Sequence, residues 1–145
     1  MKEVTIYTDG ACSQNHTWTG GWGAILIYEN RHFKKISGRE YNTTNSRMEI
    51  QAVLEALKRL KEPCKVEIVS DSLYVVRTIN EWLTDWINTG MYSQKANIDL
   101  WDEFIKLKQI HEVTAKHIRG HHGNYYNEIA DKLAVNAIKG VDVND

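Results

Sequence analysis

The apolar residues of this chain change their spacing once, near residue 44, and no other feature restricts the fold as strongly. Val4, Ile6 and Thr8 alternate with Thr5 and Tyr7, so residues 3–9 read as a strand that ends at Asp9-Gly10. After Gly20-Gly21 comes the run Trp22 to Tyr28, too short and too β-branched to favour a helix. Glu29-Asn30-Arg31 makes a turn, and residues 32–41 return as a third, antiparallel strand. Beyond that point Met48, Ala52, Val53, Ala56, Leu57 and Leu60 recur at helical spacing over residues 45–61, with Thr44 or Asn45 as cap and Pro63 as stop. Residues 64–70 form a strand running into Asp71. A helix follows over residues 73–86 with Val76, Ile79, Trp82 and Leu83 inward, then an irregular polar stretch over 87–97. A helix over 99–110, a strand over 111–118 and a last helix over 127–138 complete the chain.

Strands separated by helices require right-handed parallel crossovers, whereas the first three strands form an antiparallel meander. The expected class is therefore α/β with a mixed sheet and helices on its faces. At 145 residues, 42% of them hydrophobic, the chain is long enough for one domain with its own core. We expect that domain to span residues 1–139, with residues 140–145 a frayed tail. No apolar run approaches the roughly 20 residues that span a bilayer, so no membrane association and a cytoplasmic location are expected. Cys12 and Cys64 lack metal-ligand spacing and are read as free thiols.

The formal net charge is −1, which by itself argues against a nucleic-acid binder, because phosphate contacts normally come from a basic surface. The argument weakens if several acids serve to bind cations. Asp9 and Asp71 both sit at the carboxyl ends of strands, where α/β sheets collect ligands. Each has an ordinary alternative, since Asp also terminates strands and caps helices. Glu49 is more telling: it shares the buried stripe with Ala52, Val53 and Ala56, where a carboxylate is costly unless paired or metal-bound, although a rim glutamate at a helix start is the alternative. Asp131 lies in line with Ala134, Val135 and Ile138 and could equally be a surface acid near a helix start. Were these four to meet, oxygen-only ligands would select Mg²⁺ or Mn²⁺, and a pair of such ions suits in-line phosphodiester displacement.

The order and spacing of the motifs then make the chain similar to the type 1 ribonucleases H over almost its whole length. The motifs are Tyr7-Thr8-Asp9-Gly10-Ala11-Cys12, Gly20-Gly21-Trp22-Gly23-Ala24, Thr43-Thr44-Asn45-Ser46-Arg47-Met48-Glu49 and Ser70-Asp71-Ser72 with Tyr74-Val75. Residues 97–101 and the run from Gly120-His121 through Asn127-Glu128 to Asp131 complete the set. The resemblance implies a ribonuclease H-like fold, with a five-stranded mixed sheet, and hydrolysis of the RNA strand of RNA–DNA hybrids to give 5′-phosphate and 3′-hydroxyl ends. It implies two Mg²⁺ ions, with Mn²⁺ as a substitute, held by Asp9, Glu49, Asp71 and Asp131. His121 is implied to assist by proton transfer or product release, with His122 beside it as a partial substitute. Cys12, Asn15, Asn45 and Ser46 match positions that touch the hybrid near its minor groove, where 2′-hydroxyls distinguish RNA. Thr44 matches a DNA-phosphate contact, and Tyr74 and Trp82 a channel on the DNA sugars; core packing is the competing reading of both aromatics. No obligatory protein partner is implied, and a monomer is the default.

The chain departs from the family pattern at residues 16–19, at Leu73, and in the protrusion after Trp86, which over residues 87–95 carries Lys95 as its one lysine. Weaker hybrid affinity than that of strongly basic relatives, with a shallower salt dependence, is the expectation. Two other functions compete: a ribonuclease-H-like nuclease acting on another nucleic acid, and a non-catalytic hybrid-binding module. The first should lack the Thr-Thr-Asn segment and Gly-His loop in combination. The second should have lost a metal carboxylate.

Overall fold

The structure is a computed structural model that describes residues 1–15, 17–119, 123–141 and 143. Five strands form one sheet in the order β3-β2-β1-β4-β5. They are β1 (Lys2–Cys12), β2 (Gly20–Tyr28), β3 (Arg31–Glu40), β4 (Cys64–Ser70) and β5 (Glu112–His117). The pairs β1/β2 and β2/β3 are antiparallel, while β1/β4 and β4/β5 are parallel, so the mixed α/β sheet expected from the periodicity is the one observed. Among the described residues no helix is long and apolar enough to cross a membrane.

Helix α1 (Asn45–Lys58) packs on β1 and β2 over one face of the sheet, and α5 (Tyr125–Ile138) covers β1, β2 and β3 from the other. β2 is therefore buried from Gly20 to Ile27, which explains a strand without hydrophobic alternation. Two glycines of β2 set the spacing to α5. A Cβ on Gly21 would strike the Ala134 carbonyl oxygen, and one on Gly23 would strike Leu133 and the Ala130 carbonyl oxygen. At Gly10 of β1 a Cβ would meet the backbone of Met48 and Glu49, so the end of β1 is pressed against the first turn of α1.

Thr44 caps α1, its side chain accepting from the Arg47 N–H at 3.2 Å. The helix ends three residues before the expected Lys61, because Arg59 and Leu60 tighten onto the Ala56 and Leu57 carbonyls. Arg47 binds Asp99 through both guanidinium nitrogens, at 3.0 and 2.6 Å, and so ties α1 to α4 (Ile98–Lys108).

The single helix expected over residues 73–86 is instead α2 (Leu73–Arg77), a π-helical stretch at Thr78–Trp82 and α3 (Leu83–Asn88). Thr78 Oγ1 donates to the Tyr74 carbonyl at 2.6 Å where the ladder changes register, a side chain competing with the backbone. The wider turn brings Asn80 against the outer edge of β5, where it donates to the Ala115 carbonyl (2.8 Å) and accepts from the Ala115 N–H (2.9 Å). Val75 is buried along with Val76, Ile79 and Leu83, while Trp82, expected inward, is only half-buried. The last helix starts two residues earlier than expected, at Tyr125, because Asn124 caps it by accepting from the Asn127 N–H. In the tail read above as frayed, Val143 exchanges two hydrogen bonds with Ser37 of β3, at 2.7 and 2.8 Å.

Candidate metal centre and active site

Parallel pairing of β1 with β4 aligns their carboxyl ends, and each strand delivers one acid there. Asp9 follows Thr8 near the end of β1, on the face turned towards α5, as Tyr7 shows by stacking on Tyr126 at 5.3 Å. Asp71 is the first residue beyond β4. Glu49 arrives from α1 across Gly10, whose missing side chain permits the approach. One carboxylate oxygen from each of Asp9, Glu49 and Asp71 lies within 4.8 Å of the others. Asp131 stands outside that group of three but reaches Asp9 closely enough for the two carboxyls to share a hydrogen bond.

Asp9 is 6% exposed, and burial is the largest influence on its carboxyl, followed by the charge of Asp71 and the hydrogen bond with Asp131. Together they push it up to about 8 against the opposing Gly10 N–H, which donates to Asp9 Oδ1 at 2.9 Å. Glu49 is pushed up to about 9, again by burial first and then by the charges of Asp9 and Asp71. Its Oε2 is buried with no hydrogen-bond partner among the described residues. A buried carboxylate oxygen without a donor costs free energy as the protein stands, and a divalent cation would supply what is missing. The donor set among the described residues fits a hard dication: carboxylate oxygens, with no thiolate or imidazole from those residues in the group.

Asp131 sits beside the apolar stripe of α5 rather than in it. Ala130, Leu133, Ala134 and Ala137 are the buried residues, whereas Val135, expected inward, is 37% exposed. The backbone of Ala130 and Ala134 and the side chains of Leu133 and Ile138 lie against Gly21 and Gly23, and that packing leaves Asp131 half-buried at the edge of the stripe.

The remaining candidates are distributed around this end of the sheet. Cys12 is half-buried, its thiol 3.4 Å from the Thr43 carbonyl and 3.5 Å from that of Trp18. Asn15 is exposed and its Oδ1 accepts from the Thr17 N–H and hydroxyl, shaping its own loop. Thr44 and Asn45 are exposed and Ser46 half-buried at the start of α1. Tyr74 is tied to the interior side of α4, its hydroxyl accepting from Asn97 Nδ2 (3.1 Å) and Trp101 Nε1 (3.0 Å). Trp82 lies 6.1 Å from Trp86, with the Arg77 guanidinium 6.0 Å above its ring and Lys95 5.2 Å above that of Trp86. His121 and His122 lie outside the described residues.

Ser70, known from the sequence only as part of a motif, and His117, to which the sequence assigned no role, flank the Asp71–Ser72 peptide. Ser70 Oγ accepts from the Ser72 N–H at 3.0 Å, and His117 Nε2 lies 3.2 Å from the Asp71 carbonyl oxygen. The register of β4 on β5, which pairs Ser70 with His117, is the signal that finds the second of them.

Comparison with known proteins agrees with this geometry. The family model described as RNase H matches residues 1–139. The ribonuclease H of Chlorobaculum parvum is 50% identical over 143 residues, covering 95% of this chain and 97% of its own. The crystal structure of LC9-RNase H1, a type 1 RNase H with the type 2 active-site motif, superposes with a TM-score of 0.87 at 28% identity, over 100% of this chain and 78% of its own. A foamy viral protease–reverse transcriptase solved in complex with RNA/DNA hybrid matches with a TM-score of 0.77 at 27% identity, over 97% of this chain and 20% of its own.

Proposed function

The chain belongs to the ribonuclease H family, and from that premise we propose that it cuts the RNA strand of RNA–DNA hybrids at a centre built from Asp9, Glu49, Asp71 and Asp131. The carrying observation is the crowded carboxylate group, with Asp9 buried and Glu49 and Asp71 half-buried, one of whose oxygens has no partner among the described residues. We assign two divalent cations to it, Mg²⁺ in the first place and Mn²⁺ as substitute. The chemistry a pair of dications supplies is a lowered pKa for the attacking water and neutralised charge at the leaving oxygen.

The chain's own part is to hold these acids ready before any cation arrives. Asp9 and Asp71 are fixed by neighbouring parallel strands, and Glu49 by a helix start pressed onto Gly10. Asp131 adds a fourth carboxyl beside Asp9. Raised carboxyl pKa values mean that the site carries protons when metal-free and releases them as cations bind. In this reading His121 moves a proton or helps product leave, and residues 1–139 form the catalytic unit, acting as a monomer without an obligatory protein partner in the cytoplasm. Cys12, Asn15, Asn45 and Ser46 read the minor groove, Thr44 binds a phosphate of the DNA strand, and Trp82 with Tyr74 borders its sugars.

The test incubates labelled RNA–DNA hybrid, duplex RNA, duplex DNA and single strands with the protein in Mg²⁺, Mn²⁺ or EDTA. Metal-dependent cleavage of the hybrid alone is expected, leaving 5′-phosphate and 3′-hydroxyl ends. Equal cleavage of duplex DNA, or activity that survives EDTA, would overturn the proposal. A hybrid that is bound but never cut would favour a binding module.

A further inference from the structure

We infer that His117 is a positioning residue for Asp71, holding the backbone from which that carboxylate is aimed. The inference rests on the reading of Asp71 as a cation-binding group. It starts from a weakness in the fold: Asp71 is one residue past the end of β4, where the strand's hydrogen-bond ladder no longer constrains the chain. The last rung there is the Ile118 N–H on the Ser70 carbonyl at 3.0 Å. Beyond it no backbone ladder bond among the described residues fixes the Asp71 peptide, yet a metal centre needs its oxygens placed to a fraction of an ångström.

Side chains from both strands take over where the ladder stops. On one side, Ser70 Oγ is buried in the sheet and accepts from the Ser72 N–H at 3.0 Å. Ser72 in turn caps α2, its hydroxyl accepting from the Val75 N–H at 3.2 Å. On the other side, the Asp71 carbonyl faces His117 Nε2 at 3.2 Å. A carbonyl oxygen only accepts, so the imidazole donates from Nε2. The peptide group joining Asp71 to Ser72 is thus held at its carbonyl by His117 and at its N–H by Ser70. With that plane fixed, the carboxylate samples few side-chain rotamers and meets Asp9 and Glu49 in one arrangement.

His117 is itself exposed, in register opposite Ser70, and makes no contribution to the apolar core. A solvent-facing residue at the end of an edge strand can be replaced without opening a cavity, so its role can be separated from stability.

The experiment measures Mn²⁺ binding to the full chain by the electron paramagnetic resonance of free Mn²⁺, and hybrid cleavage in parallel, for wild type, His117→Ala, His117→Gln and Asp71→Asn. A glutamine amide nitrogen occupies nearly the place of Nε2 and retains the donor. His117→Ala should weaken Mn²⁺ binding about threefold to tenfold, the range expected for loss of one hydrogen bond. It should also lower kcat with KM for the hybrid unchanged, while His117→Gln restores both. The inference fails if His117→Ala binds Mn²⁺ like wild type, if His117→Gln is as weak as the alanine variant, or if the loss falls on KM alone. Should Asp71→Asn bind Mn²⁺ normally, the metal reading itself would fall. Weak binding by Asp71→Asn with normal binding by His117→Ala would sink the positioning role alone.

Discussion

The two ends of β1 and β4 treat charge in opposite ways. At the amino end Lys2 meets Glu62 at 2.7 Å and Lys65 lies 3.9 Å from Glu3, each of these side chains more than half exposed. At the carboxyl end Asp9, Glu49 and Asp71 crowd together, and what acts on Asp9 and Glu49 is burial and the charge of other acids. Exposed, paired charges cost little and contribute little. Buried like charges cost a great deal, and a fold retains them only where something outside the chain compensates. The same strands carry an end that water satisfies and an end that protons relieve in the metal-free protein and a bound cation would relieve in their place. The sheet's function is readable from that asymmetry.

The largest effect should come from neutralising an acid at the second end. Asp9→Asn, Glu49→Gln or Asp71→Asn should each lower hybrid-cleaving activity by about a thousandfold or more in Mg²⁺, because each would remove one of the ligands proposed for the cation centre. Activity within tenfold of wild type for any of them would remove that residue from the centre. Neutralising Glu62 or Lys65, equally charged and on the same strands or the turn beside them, should leave the rate unchanged.

A second effect should appear in the metal-free protein as pH changes. Asp9 is pushed up to about 8 and Glu49 to about 9, so the folded chain holds protons that the unfolded chain has already released. Their favourable contribution is complete below the unfolded carboxyl pKa of about 4, and it is lost as pH rises through the folded values. Denaturant unfolding in EDTA should therefore show stability falling by a few kcal/mol between about pH 5 and pH 9. Saturating Mg²⁺ should flatten the decline, as should the double substitution Asp9→Asn with Glu49→Gln. A metal-free protein equally stable across that range would show that these acids carry no repulsion, and the contrast between the two ends would disappear.

Much of the carboxyl end is legible in the sequence, for reasons that differ between residues. Asp71 is found because β4 ends beside it; Asp9 is found from an expected strand end at Asp9-Gly10 that β1 in fact overruns to Cys12 in pairing with β2; and Glu49 because a helical stripe that is otherwise apolar exposes its exception. Asp131 is found on a mistaken stripe: the alternatives 131/134/135/138 and 130/133/134/137 are neighbours on one helix, and periodicity alone cannot choose between them. The choice is made by Gly21 and Gly23, whose missing side chains let the backbone of α5 at Ala130 and Ala134 lie directly on β2. The π-helical stretch has only a weak local sign, the Thr78 hydroxyl on the Tyr74 carbonyl, and its wider turn also carries a tertiary contact, the edge of β5 gripped by Asn80. His117 has no local sign. Its contact with Asp71 spans 46 residues and exists only once β4 and β5 are in register.

Smaller effects should separate the ends mechanically. Gly10→Ala introduces a methyl into the backbone of Met48 and Glu49, neither of which is the movable tip of a side chain. Overpacking of this kind costs about 1–3 kcal/mol, and here the strain must displace the start of α1 and with it Glu49. Loss of stability together with weaker Mn²⁺ binding is expected; lost stability with binding intact would mean that Glu49 is not held by this contact. At the amino end, Glu62→Gln removes the partner of Lys2, a pair in which both side chains are about half in water. Solvent screening and the entropy of two long side chains leave such a pair close to neutral, so no resolvable change in Tm is expected, at low salt or high. Mn²⁺ affinity should be equally unmoved. A clear fall in Mn²⁺ affinity from this substitution would mean that strain passes along β1 and β4 from one end to the other, and the two ends would have to be treated as one electrostatic unit.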